Sequence, residues 1–183
     1  MGAVFARGMS KSRMGKAWYD RGVGVRVSML GETDTTVFAA RPPSFSGEWG
    51  GHTLLVRREC PSTAFVALHE PFEGGAAKAP ATAFQRLAQN DRRLAVSVTG
   101  GSLNDRILLA AAPAAEDEQT VEAGGEKFVF RSWGFVRIGK QVVEVWGDVK
   151  EAAVKAAGAS KATLNGKPVD AKVEGGVLRI AAR

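Results

Sequence analysis

At 183 residues with 45% hydrophobic and 24% charged content, the chain is long enough for one domain with a sizeable core and too short for two large ones. Its single cysteine, Cys60, excludes an intrachain disulfide and a cysteine-rich zinc site, and no apolar run approaches the roughly 20 residues that a membrane-spanning helix needs. The formal charge of +6 invites a polyanionic partner, but residues 1–26 carry Arg7, Lys11, Arg13, Lys16, Arg21 and Arg26 against Asp20, which is +5 of it, and the rest of the chain is nearly neutral.

Residues 1–18 are rich in Gly, Ser, Lys and Arg without a sustained apolar period, so a basic, flexible leader is expected there, followed by a single domain over 19–183. From Tyr19 onward, short alternating or β-branched runs separated by turn residues predict antiparallel strands. The best runs are 23–29, 35–40, 53–58, 63–69, 94–99, 106–111, 127–130, 135–138 and 142–146. Gly-Gly pairs at 50/51, 74/75, 100/101 and 124/125 fall 24 to 26 residues apart, about two strands plus their connections, and a fifth pair stands at 175/176. Asn165-Gly166, between two short apolar runs, is the strongest single hairpin signal, because a type I′ turn needs positive φ at both central residues. Segments 81–90 and 151–157 are Ala-rich, and helical propensity alone leaves each open to a few helical turns. Many short strands with Gly-rich turns favour an all-β sandwich or barrel.

Chemistry-bearing motifs are sparse. Gly22-Val-Gly24 follows a possible strand, but Val27 stands where the dinucleotide fingerprint needs a third Gly or Ala, so no cofactor is expected. His52 and His69 flank Cys60 without the compact ligand pairs of a zinc site, so no metal is expected either. His69 ends the run 63–70 on the same face as Thr63, Phe65 and Ala67, and Pro71 should then end the strand. Trp49 and Trp133 each stand beside glycines, where a loop tryptophan either stacks on a sugar face or seals the end of the core. Trp146, after Val142, Val143 and Val145, reads as packing, and the carboxylates are scattered without a recognisable catalytic pair.

Residues 54–74 read LLVRRECPSTAFVALHEPFEG, and this strand, turn and Phe-Val-x-x-x-Glu-Pro stretch resembles the C-terminal β-sheet region of heparinase II/III-like polysaccharide lyases. The resemblance continues in order through YDRGVGVRV at 19–27, NDRILL at 104–109, FVFRSWGFVRI at 128–138 and TLNGKPV at 163–169, and covers roughly residues 19–183. It implies an antiparallel β-sandwich of the kind that adjoins an α/α-toroid in enzymes that cleave uronate polysaccharides by β-elimination and are typically periplasmic or secreted. In that family most catalytic groups come from the toroid, with one sheet histidine and the metal ligands upstream of the matching region. No catalytic residue is therefore carried over, and Tyr19, the only tyrosine, stands outside any toroid motif.

The expected function is a non-catalytic module that supports a toroid and contacts acidic polysaccharide through Trp49, Trp133 or His69. A free-standing carbohydrate-binding module and a self-sufficient lyase are the alternatives. The expected partners are acidic polysaccharide and a toroid domain or a second copy meeting the exposed sheet, with no membrane, and with nucleic acid reachable only through the basic leader.

Overall fold

The computed structural model describes residues 3–6, 24–31, 34–40, 53–60, 63–74, 78, 81–111, 116–156 and 158–181. Among them the secondary structure is β throughout: β1 (Ala3–Ala6), β2 (Gly24–Met29), β3 (Thr35–Ala40), β4 (Thr53–Arg58), β5 (Ala67–Phe72), β6 (Ala83–Gln89), β7 (Arg93–Gly100), β8 (Leu103–Ala110), β9 (Gln119–Ala123), β10 (Glu126–Ile138), β11 (Val142–Lys155), β12 (Lys161–Leu164), β13 (Lys167–Val169), β14 (Ala171–Glu174) and β15 (Val177–Ala181). No helix among the described residues is long and apolar enough to cross a membrane. The chain divides into two compact units, Met1–Ala81 and Thr82–Arg183.

The first unit holds a three-stranded antiparallel sheet, ordered β1-β2-β5, and a separate β3-β4 hairpin. β1 falls within the segment expected to be a leader; its Ala3 to Ala6 pair with Ser28 to Val25 of β2. The expected strand 63–69 is displaced toward the C-terminus, and Pro71 lies inside β5 opposite Val25 rather than ending it. β5 is an edge strand of the described sheet, where proline's missing N–H need cost no ladder bond.

The second unit is a sandwich of two leaves that share two long strands. β10 and β11 form one antiparallel hairpin whose register shifts between Val129 and Gly134. Beyond the shift, residues 133–137 of β10 pair with β8, and 142–145 of β11 pair with β12, so one leaf runs β6-β7-β8-β10-β11-β12-β13. Before it, residues 126–130 of β10 pair with β9, and 151–155 of β11 pair with β15, so the other leaf runs β9-β10-β11-β15-β14. The closure follows from chain length. Straight, β11 would put Val142 and Lys155 about 43 Å apart, whereas the chain from Lys155 to Lys161, which sits beside Val142, reaches about 22 Å at full extension. β11 must therefore fold back, and its pairing with β12 is the one parallel ladder in a fold otherwise antiparallel among the described pairs.

Alternation along the shared strands fills the space between the leaves. Phe128, Phe130 and Val136 of β10 and Val143, Val145 and Val154 of β11 are fully buried with Leu108, Val121 and Leu178. Each such side chain contributes roughly 1.5–3 kcal/mol relative to exposure. Both Ala-rich segments are strands: 83–89 is β6, and 151–155 completes β11, where Ala152, Ala153 and Val154 are buried. Packing overrides alanine's helical preference at these sites. Gly124 and Gly125 at φ 61° and 80°, Asn165 and Gly166 at 51° and 77°, and Gly175 and Gly176 at 58° and 79° have the paired left-handed φ of a type I′ turn, whereas Gly100 and Gly101 stand at 143° and 59°.

Candidate functional site

The bend of the shared hairpin positions the most exposed aromatic ring of the second unit. Between the pairs Phe130–Val149 and Gly134–Gly147, β10 advances four residues while β11 advances two. This bulge turns Trp133 outward, and bulges of this kind commonly re-aim a side chain. Trp133 is 48% exposed and pairs across the strand with Leu109, 44% exposed.

Its seat is specific. Gly147 has φ +96°, and a Cβ there would lie 2.5 Å from the Trp133 carbonyl oxygen and 2.9 Å from the ring's Cε3. Only glycine lets the indole lie against β11 at this point. Asn165 fixes the same residue: the Gly147 N–H donates to Asn165 Oδ1 at 2.9 Å, and Asn165 Nδ2 donates to the Gly147 carbonyl at 3.2 Å. The Asn165 N–H also donates to the Val145 carbonyl at 2.7 Å. The asparagine that forms the hairpin turn thus continues the ladder along β11.

Strand alternation extends the site along β10. Phe135 and Arg137 share the outward face with Trp133, each step of two residues covering roughly 7 Å. Phe135 meets Trp146 of β11 with ring centroids 5.9 Å apart and planes tilted by 49°. The Arg137 guanidinium lies 5.3 Å from the Phe135 centroid and donates from Nε and Nη2 to the two carboxylate oxygens of Asp105 at 3.0 and 2.9 Å. That paired hydrogen bond, with the Asp105 charge and then Glu144, raises the Arg137 pKa above its ordinary value. The stripe therefore runs from an open indole to a neutralised arginine. Chemically it presents apolar ring faces that end at a carboxylate-paired arginine.

Beside the bulge, Lys150 donates to Glu118 at 2.8 Å; this hydrogen bond and the Lys150 charge hold the Glu118 carboxyl below its ordinary range, with Arg131 adding to the effect. Two open clefts accompany the sandwich. One of about 620 Å³ is lined by Asn165, Lys167, Pro168 and Asp170, and one of about 410 Å³ by Gly124, Gly125, Lys127, Ala153 and Arg179.

Trp49, His52 and Tyr19 lie outside the described residues. His69 is exposed on β5 opposite Val27, in the first unit, whereas Trp133 belongs to the second. Cys60 is exposed and unbridged. Among the described residues no three His, Cys, Asp or Glu side chains come together as a metal site would require. Phe135, Leu109 and Arg137 escaped the sequence reading because 127–130 and 135–138 were expected as separate strands with Trp133 in a turn. One continuous strand through Gly134 would have placed Phe135 and Arg137 by alternation, whereas Leu109 comes from β8 by cross-strand pairing with Trp133. Comparison with family models, curated proteins and solved structures returned no match.

Proposed function

We propose that this chain is a non-catalytic β-sandwich module that contacts acidic polysaccharide and supports an α/α-toroid domain, in the manner of the C-terminal sheet region of heparinase II/III-like lyases. The observation that carries the polysaccharide reading is the half-exposed indole of Trp133, seated on Gly147 at the head of an outward stripe with Phe135 and Trp146. An indole held open in this way forgoes burial that a large aromatic normally gains, which is intelligible where a ligand completes the contact. The ordered run of family-like motifs supports the toroid partnership.

Affinity electrophoresis and titration calorimetry with alginate oligomers test the reading. Parent protein is expected to bind, and Trp133→Ala to bind at least about fivefold more weakly, the ~1 kcal/mol expected of an exposed aromatic anchor. Trp133→Phe should fall between the two. Equal binding by parent and Trp133→Ala overturns the site. Ultraviolet absorbance of an unsaturated uronate product should stay flat, and turnover by the pure chain overturns the non-catalytic assignment.

A further inference from the structure

The Trp133 stripe presents apolar ring faces and a single arginine, Arg137, held by two hydrogen bonds to the buried Asp105. The outward face of the other leaf carries several cations. Strand register places Glu122 of β9, Lys127 of β10, Ala153 of β11, Arg179 of β15 and Lys172 of β14 in one row. Cross-strand partners project to the same side, so these five side chains share a face. Ala153, 3% exposed, forms a low floor between the long side chains of Lys127 and Arg179, and the cleft of about 410 Å³ opens along it past Gly124 and Gly125. Lys155, one row away on β11, reaches over the β9–β10 turn, its Nζ 3.3 Å from where a Gly125 Cβ would stand.

Four cations, Lys127, Lys155, Lys172 and Arg179, share this face with three carboxylates, Glu122, Glu151 and Glu174, a net charge of +1. Glu151 accepts from Lys127 at 2.9 Å, and Glu174 stands 3.6 Å from Arg179, both pairs part-exposed. Glu122 ends the row beside Lys127, while Glu126 turns inward to Arg106. Lys172 directly faces Arg179. Like charges opposed across a ladder destabilise it, and opposite charges would be the stabilising choice. The row therefore keeps an arrangement that costs the fold and suits an anion.

We infer that a chain of acidic polysaccharide lies across this leaf, its carboxylate or sulfate groups meeting Lys127, Arg179 and Lys172 over a span of about 14 Å, three strand spacings. The row contains no aromatic side chain on which nucleobases would stack, which favours polysaccharide over single-stranded nucleic acid. The inference deepens the function proposed above by locating its selectivity for acid, and it stands on residues separate from Trp133.

The test uses the full chain, with alginate as carboxylated probe, heparin as sulfated probe, and dextran and oligothymidylate as comparisons. Lys172→Gln/Arg179→Gln is expected to weaken binding to alginate or heparin at least about tenfold at low salt and to flatten the salt dependence by one to two units of log–log slope, roughly one per lost contact. Lys161→Gln/Lys167→Gln removes the same charge from the other leaf and should stay within about twofold of the parent. Equal weakening by both double variants, no weakening by either, no binding of either probe by the parent, or oligothymidylate binding as tight as either polysaccharide overturns the inference. If Trp133→Ala binds like the parent while the Lys172/Arg179 variant is impaired, the Trp133 site fails and the cationic row stands; the converse result fails the row alone.

Discussion

Arg58 shows how much a single side chain organises in the first unit. Its Nε donates to Thr35 Oγ1 at 3.0 Å, Nη1 to Thr63 Oγ1 at 2.7 Å and to the Ala64 carbonyl at 2.8 Å, and Nη2 to the Leu30 carbonyl at 3.1 Å. The guanidinium also lies 4.6 Å from the Phe65 ring centroid. A planar fork with five fixed donors can hold the end of β2, the start of β3 and the loop before β5 together, whereas a lysine ammonium cannot reach all of them from one position. The β3-β4 hairpin depends on such a clamp, because two strands alone are marginal in water and this pair leaves Val37, Phe38 and Leu55 about half exposed. Arg58→Lys is expected to destabilise the hairpin by about 1.5–3 kcal/mol, the usual range for hydrogen bonds to a charged group. Hydrogen exchange should show it as faster exchange at the β3 and β4 amides with β7 and β8 unchanged; uniform protection throughout would show that the clamp is dispensable. Nothing in the local sequence marks Arg58, since its partners lie up to 28 residues away. Asn165-Gly166 was legible because its turn is local, but the bond of Asn165 to Gly147 was not, for the same reason.

At the level of elements, the bend in β10 and β11 rests on two opposed glycines used in different ways. Gly134 is buried without positive φ, and a Cβ there would stand 2.6 Å from Val149 Cγ2 and 3.1 Å from Leu108 Cδ1. Its smallness serves close packing between strands, so the obstacle to alanine is a side chain that can be trimmed. Gly147 meets backbone and carries a positive φ, so no neighbouring side-chain change can relieve it. Gly134→Ala should cost about 1–3 kcal/mol as an overpacked core, and Val149→Ala should recover part of that loss in the double variant. Gly147→Ala should cost more, about 2–5 kcal/mol from left-handed strain and overpacking together, with no recovery from Val149→Ala. Urea denaturation of the variants measures both, and equal rescue of the two glycines by Val149→Ala would refute the distinction. Strands β3 and β4 were legible to the residue because a short run with β-branched and apolar residues and flanking turn residues agree there. β10 was split in the reading because Gly134 counts as a breaker in sequence and acts as a hinge in the sheet. The second half of β11 was obscured by alanines whose small size suits a tightly packed strand between two neighbours.

For the second unit as a whole, the question is what specifies this pairing of leaves rather than a slipped one, because an apolar core alone tolerates rearrangement. The arrangement of shared strands was not legible in sequence, since it depends on register across pairs far apart in the chain. One polar device crosses between the leaves. Arg106 of β8 points inward and donates from Nε and Nη2 to Glu126 at the start of β10, at 2.7 and 3.0 Å, with side-chain exposures of 11% and 7%. Its Nη1 donates to Asn104 Oδ1 at 2.9 Å and to the Asp105 carbonyl at 3.1 Å, so each guanidinium nitrogen is engaged. A buried pair of this kind gains little over an apolar pair of similar volume, because desolvation offsets most of the attraction, yet removing one partner strands the other's charge. Arg106→Leu and Glu126→Leu should each cost about 3–5 kcal/mol, while the double variant should lose much less than their sum. Its specificity is then measured apart from its stability. The double variant should keep its urea midpoint close to the parent's and lose dispersion in its methyl NMR spectrum, as a core with alternative registers would. A sharp parent-like spectrum from the double variant would show that the apolar layers of β10 and β11 select the register without the ion pair.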